Sequence, residues 1–153
     1  MNAPSFRYPL HLARRFYESI AVRDLSEADV NWARMQLDES EFSLWISMPP
    51  LDRVHSYGVA RRLTEQHPRV ERYEIAAAFL HDVGKTRSSL NLGERVLATI
   101  IGSRTERFKE YHDHERIGFR MCRERGIDPR VCDLIVGIGT VDAVARLKAA
   151  DDL

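Results

Sequence analysis

The chain has 153 residues, 44% hydrophobic and 30% charged, enough for one soluble domain with its own core. Its 23 basic residues balance 23 acidic ones, which excludes a global field drawing it to nucleic acid or an anionic membrane, so any anion binding must be local. Two cysteines, Cys122 and Cys132, exclude a disulfide framework; with no signal-like N-terminus and no bilayer-length apolar run, a cytoplasmic protein is expected.

Helical spacing dominates. Pro9 to Ile20 reads as a short helix, with Leu12, Phe16 and Ile20 four residues apart. A second opens at Ser26, whose hydroxyl can cap it while Glu27 and Asp29 favour the positive end of the helix dipole. It carries Val30, Ala33 and Leu37 on one face, and the apolar signal continues through Phe42, Leu44, Trp45 and Ile46 until Pro49 and Pro50 stop it. A third helix is predicted from Leu51 to Glu65. After Pro68 the most apolar helix runs from Glu71 to Val83, and Gly84 is expected to end it in a left-handed conformation. Shorter helices follow at Glu94 to Ile101 and at His114 to Arg125, the latter closed by Gly126. Asp128 and Pro129 form a cap and first-turn proline for a helix through Val131, Leu134 and Ile135. Gly137 and Gly139 interrupt it, and Thr140 caps a last helix. Strand-like alternation is nearly absent, and the two glycines argue against a strand at Val136 to Val141. The expected fold is all-α, one helical bundle with residues 1–50 as an N-terminal helical extension packed on a core of residues 51–153.

His81 and Asp82 end the most apolar helix, and both are costly to bury unpaired. Neighbours on a helix point about 100° apart, so both can meet one ion only at a helix end or where other helices close in. Imidazole and carboxylate are ordinary ligands for divalent ions; the alternative is a pair making capping contacts. His55 lies beside Val54 and Val59 on the inward side of its helix, with Gly58 able to admit another helix or an ion. Near the C-terminus, Asp151 falls on an otherwise apolar face while Asp152 can face solvent.

His55, the segment His81-Asp82-Val83-Gly84-Lys85, and Ala150-Asp151 together resemble the HD-domain superfamily of metal-dependent phosphohydrolases, over about Leu51 to Leu153. The resemblance implies an all-helical bundle of that type and one divalent ion (Mn, Fe, Co, Ni, Zn or Mg) held by His55, His81, Asp82 and Asp151. His114-Glu115-Arg116-Ile117-Gly118 is similar to the His-x-x-x-Gly segment that supplies a second-metal ligand in two-metal members. Such members carry a further histidine in the stretch corresponding to Ile135 to Thr140, where this chain has none, so one ion is expected. His114 is then expected either to touch substrate phosphate or donate a proton, or to be a surface histidine near a helix start.

The implied activity is hydrolysis of a phosphate ester or anhydride of a nucleotide or similar small metabolite. Asp82 would orient the attacking water and Lys85 would stabilise charge on the phosphate, with Arg62, on the face of His55, as a second substrate contact. Arg61, Arg87 and Arg116 read as solvated charges, as do His112 and Asp113; His11 and His67 have no evident partners. Other readings stay open: a non-catalytic metal- or nucleotide-binding regulatory module, a dinucleoside polyphosphate hydrolase, or a helical interaction protein with core histidines. A small phosphorylated partner is expected, with no nucleic acid or membrane. The N-terminal helices, with Trp32 and Trp45, can pack on the core, cover the site or join two copies as a homodimer.

Overall fold

The structure, a computed structural model, describes residues 24–88 and 113–153. The helices expected at Pro9–Ile20 and Glu94–Ile101, with His11 and His112, lie outside these residues. Among the described residues all regular structure is helical: α1 (Glu27–Gln36), α2 (Glu39–Ile46), α3 (Pro50–Gln66), α4 (Arg72–Leu80), a 3-10 helix (Val83–Ser88), α5 (His114–Glu124), α6 (Pro129–Ile135) and α7 (Val141–Asp151). None of these helices is long and apolar enough to cross a membrane.

Local chemistry sets the boundaries. Ser26 caps α1 in a reciprocal box with Asp29. The apolar run that reads as continuous from Val30 to Ile46 is divided, because Asp38 forms a second box with Glu41 and starts α2. Pro50 does not merely stop α2: it occupies the first turn of α3, where its missing N–H costs nothing. Asp128 and Thr140 cap α6 and α7 as their sequences predict.

α4 is the hub, packed against α1, α2, α3, α6 and α7, and every residue from Glu74 to Leu80 is buried. Three consecutive alanines keep this helix slim, so neighbours approach it from several sides. Phe79 meets Trp45 edge-on, ring centroids 5.2 Å apart, and Trp32 at 5.8 Å. Polar tips fix the same aromatic group: Trp45 Nε1 donates to Ser56 Oγ at 3.0 Å and the Tyr57 hydroxyl to Asp29 Oδ1 at 2.6 Å. α1 and α2 therefore share one hydrophobic core with α3, α4, α6 and α7. Cys122 and Cys132 are free and fully buried within it, and burial pushes the Cys122 thiol up to about 12.

Two buried acids tie elements across this core. Glu41 of α2 accepts from both terminal nitrogens of Arg72, at 3.3 and 2.7 Å, joining α2 to the start of α4. Glu74 of α4 accepts from Arg146 Nε at 2.9 Å and Nη2 at 3.0 Å, locking α7 against α4.

α4 is shorter than its apolar pattern suggests. It ends at Leu80, and the chain turns through His81 and Asp82 into the 3-10 helix. Gly84 does not adopt the left-handed conformation expected of it; among the described residues positive φ occurs at Gly126 (69°) and Gly137 (75°). Its requirement is steric. A Cβ at Gly84 would lie 1.8 Å from the His114 carbonyl oxygen and 2.7 Å from the Gly118 nitrogen. Gly118, one turn beyond His114, faces Gly84 in return, so the 3-10 helix and α5 meet backbone to backbone.

Candidate metal centre

Four separate elements deliver the polar cluster. α3 presents His55, the turn after α4 presents His81 and Asp82, α5 opens with His114, and α7 ends on Asp151. His55 Nε2 lies 2.9 Å from Asp151 Oδ1 and 3.8 Å from Asp82 Oδ2. His81 Nε2 lies 3.3 Å from Asp151 Oδ1 and 3.6 Å from Asp82 Oδ2. The four side chains expected to meet thus converge, from positions up to 96 residues apart.

His81 shows what the cluster is arranged to receive. Its Nδ1 lies 2.8 Å from the Ala78 carbonyl oxygen. A carbonyl can only accept, so Nδ1 carries the proton and, in the neutral ring, the Nε2 lone pair points into the cluster. That Nε2 is buried, and with the ring neutral its lone pair meets no donor, only the carboxylate oxygens of Asp151 and Asp82 at 3.3 and 3.6 Å. A buried nitrogen left in this state is costly unless a ligand satisfies it. Nothing in the sequence marks Ala78 for this task, because the acceptor is backbone.

Two imidazoles and two carboxylates suit a borderline divalent ion. Donor atoms sharing one ion at about 2.1 Å sit roughly 3 to 4 Å from one another, and the four separations here fall in or close to that interval. His55, His81 and Asp82 each offer a ligand atom within 4.8 Å of the others. The residues fit an ion. Exposure is uneven: the side chains of His81 and Asp82 are 11% and 4% exposed, those of His55 and Asp151 42% and 41%. The cluster is therefore closed beneath and open to solvent on the His55–Asp151 side.

Asp82 is the electrostatic centre. Its Oδ1 lies 3.3 Å from His114 Nε2, while Oδ2 accepts from Lys85 Nζ at 2.5 Å. Burial alone would raise its pKa, but His114, His81 and Lys85 outweigh burial and hold the carboxyl far below the usual range. Contacts with His55 and His81 likewise depress Asp151. His81 is pushed down by burial, yet Asp151 and Asp82 leave it raised in the metal-free protein.

The other residues singled out in the sequence fall as follows. His114 faces Asp82. Lys85, expected to reach out from a flexible glycine, is held against Asp82 because Gly84 is wedged under α5. Arg62 directs its Nε–H to the Ala150 carbonyl at 2.8 Å, and its guanidinium covers Gly58, so Gly58 admits an arginine instead of a helix or an ion. Arg61 pairs with Glu65 at 2.7 Å, while Arg87, Asp113 and Arg116 are exposed. Arg146 and Glu74, which fix the helix bearing Asp151, were not legible as a pair because 72 residues separate them.

A family model, the HD domain, matches residues 53–146. That is more than half of the chain, and the protein belongs to the HD-domain family, a superfamily of metal-dependent phosphohydrolases whose domains bind divalent metals. The matched span contains His55, His81, Asp82, Lys85 and His114; Asp151 lies beyond its end. No curated protein and no solved structure matches the chain.

Proposed function

We propose that this protein hydrolyses a phosphate ester or anhydride of a small metabolite, with a nucleotide as the expected class, using one divalent ion held by His55, His81, Asp82 and Asp151. The observation that carries the reading is the buried Nε2 of His81, fixed in the ligating tautomer by Ala78 and faced by two carboxylates and a second imidazole. A divalent ion bound there supplies Lewis acidity, making water acidic enough to attack near neutral pH and polarising a phosphoryl oxygen. The protein supplies the rest. Asp82, ionised throughout the physiological range, orients the attacking water through one oxygen and keeps His114 in place through the other. Lys85, on the same carboxylate, adds positive charge where the phosphate gains negative charge, a contribution of about 3 kcal/mol in comparable sites. His114 Nε2 is the group best placed to hold or release a proton beside Asp82.

Metal analysis of the purified protein, with a phosphate-release screen across nucleotides, tests this directly. One ion per chain with turnover is expected, and Asp82→Ala should lose both. Bound nucleotide without turnover would instead identify a regulatory module, and two ions per chain would point to the dinucleoside polyphosphate reading. Full activity of the Asp82→Ala variant would defeat the assignment.

A further inference from the structure

We infer that Arg62 is a positioning residue for the metal centre: it pins the last turn of α7 so that the Asp151 carboxylate meets His55. The inference rests on the reading of His55, His81, Asp82 and Asp151 as metal ligands.

Asp151 is the final residue of α7. The last four carbonyls of a helix have no intrahelical donor, and helix ends fray unless something outside holds them. A ligand at such a position is poorly fixed by its own helix. The Ala150 carbonyl, immediately before Asp151, is one of these orphans, and Arg62 Nε donates to it at 2.8 Å. The bond is charge-assisted, and a cation at the negative end of a helix dipole adds to it. Arg62 lies seven residues after His55 on α3, about two turns along one face. One rigid helix therefore presents both the imidazole and the anchor of its carboxylate partner, which fixes the 2.9 Å approach of His55 Nε2 to Asp151 Oδ1. Gly58 keeps the lane for the guanidinium open, since a Cβ there would lie 3.3 Å from Arg62 Nη1.

Cobalt(II) titration, read by affinity and by the visible absorption of the bound ion, tests the assignment on wild type, Arg62→Met, Asp151→Asn and the double variant. Arg62→Met should weaken binding roughly 10- to 100-fold, as loss of a residue supporting a metal ligand does, and should shift the spectrum toward that of Asp151→Asn. The double variant should bind no more weakly than Asp151→Asn, because both changes act through one carboxylate. Arg62→Lys should recover part of the affinity. Far-UV circular dichroism of the metal-free variants checks the fold, and should Arg62→Met unfold, Arg62→Lys, which keeps the charge but loses the Nε–H donor, is read against wild type in its place. Multiplicative losses in the double variant, or a wild-type spectrum and affinity in Arg62→Met, would overturn the inference. Failure of the wild-type protein to bind cobalt would overturn the centre itself along with it, whereas absence of phosphate release leaves these titrations readable.

Discussion

His81 is under two opposed demands. Burial disfavours a charge on the ring, while Asp151 and Asp82 raise its pKa above the ordinary 6.5 in the metal-free protein. A raised pKa means that the native state holds the proton more tightly than the unfolded chain does. The resulting stability is fully present below 6.5 and is lost as pH climbs through the native pKa. Asp82 and Asp151 act with the opposite sign: their depressed pKa values contribute stability above 3.8 that disappears on acidification. The metal-free unfolding midpoint should therefore fall as the pH is raised above 6.5, and should fall less in Asp151→Asn, which removes one of the charges that hold the proton. Thermal melts at rising pH measure it, and a larger fall in the variant would contradict the account. Saturating metal should weaken or reverse the trend, because ligation needs the deprotonated Nε2. The tautomer behind this behaviour was hidden in the sequence: His81 and Asp82 stand out there, but the Ala78 carbonyl that orients the ring does not.

At the level of elements, the joint that matters most is between the 3-10 helix and α5. Gly84 and Gly118 bring two backbones into contact, and this closeness is what sets His114 against Asp82. Gly84→Ala would place a methyl group inside the His114 carbonyl, and backbone cannot step aside as a flexible side chain can. Overpacking of this kind costs roughly 1–3 kcal/mol or more, so urea unfolding should show a clear loss of stability, accompanied by weaker metal binding. Wild-type stability in that variant would mean that α5 is not held as closely as described. The glycine itself was evident in the sequence, and so was its place beside the His-Asp pair. Its reason was not: a helix-ending conformation and a close approach leave the same residue in the sequence, and only the neighbour across the gap separates them. The division of Val30 to Ile46 into α1 and α2 has a similar cause, since Asp38 and Glu41 carry a capping box three residues apart within an otherwise unbroken apolar signal.

The whole molecule reads as a core that holds four polar side chains in place before any ion arrives. α4 supplies His81 from its buried end, α3 and α7 flank it, and the Glu74–Arg146 pair keeps α7 in register. Preorganisation of this kind links ion binding to global stability. Added manganese or cobalt should raise the thermal midpoint, with stabilisation of about 2.7 kcal/mol at a free concentration 100-fold above Kd, and a chelator should reverse it. A midpoint insensitive to every divalent ion would favour the helical interaction protein with core histidines.

The sequence by itself determined what is periodic and local: helices from their apolar spacing and caps from Ser26, Asp128 and Thr140, while its resemblance to the HD domain singled out His55, His81, Asp82 and Asp151 as the proposed ligand set. Tertiary structure alone decided what depends on two distant segments meeting. It turned Gly84 from a helix terminator into a spacer, set Arg62 on the Ala150 carbonyl, and joined Glu74 to Arg146. The physical reason is that capping and periodicity act over a few residues of one strand of backbone, whereas a steric gap or an ion pair exists only once both of its walls are in place.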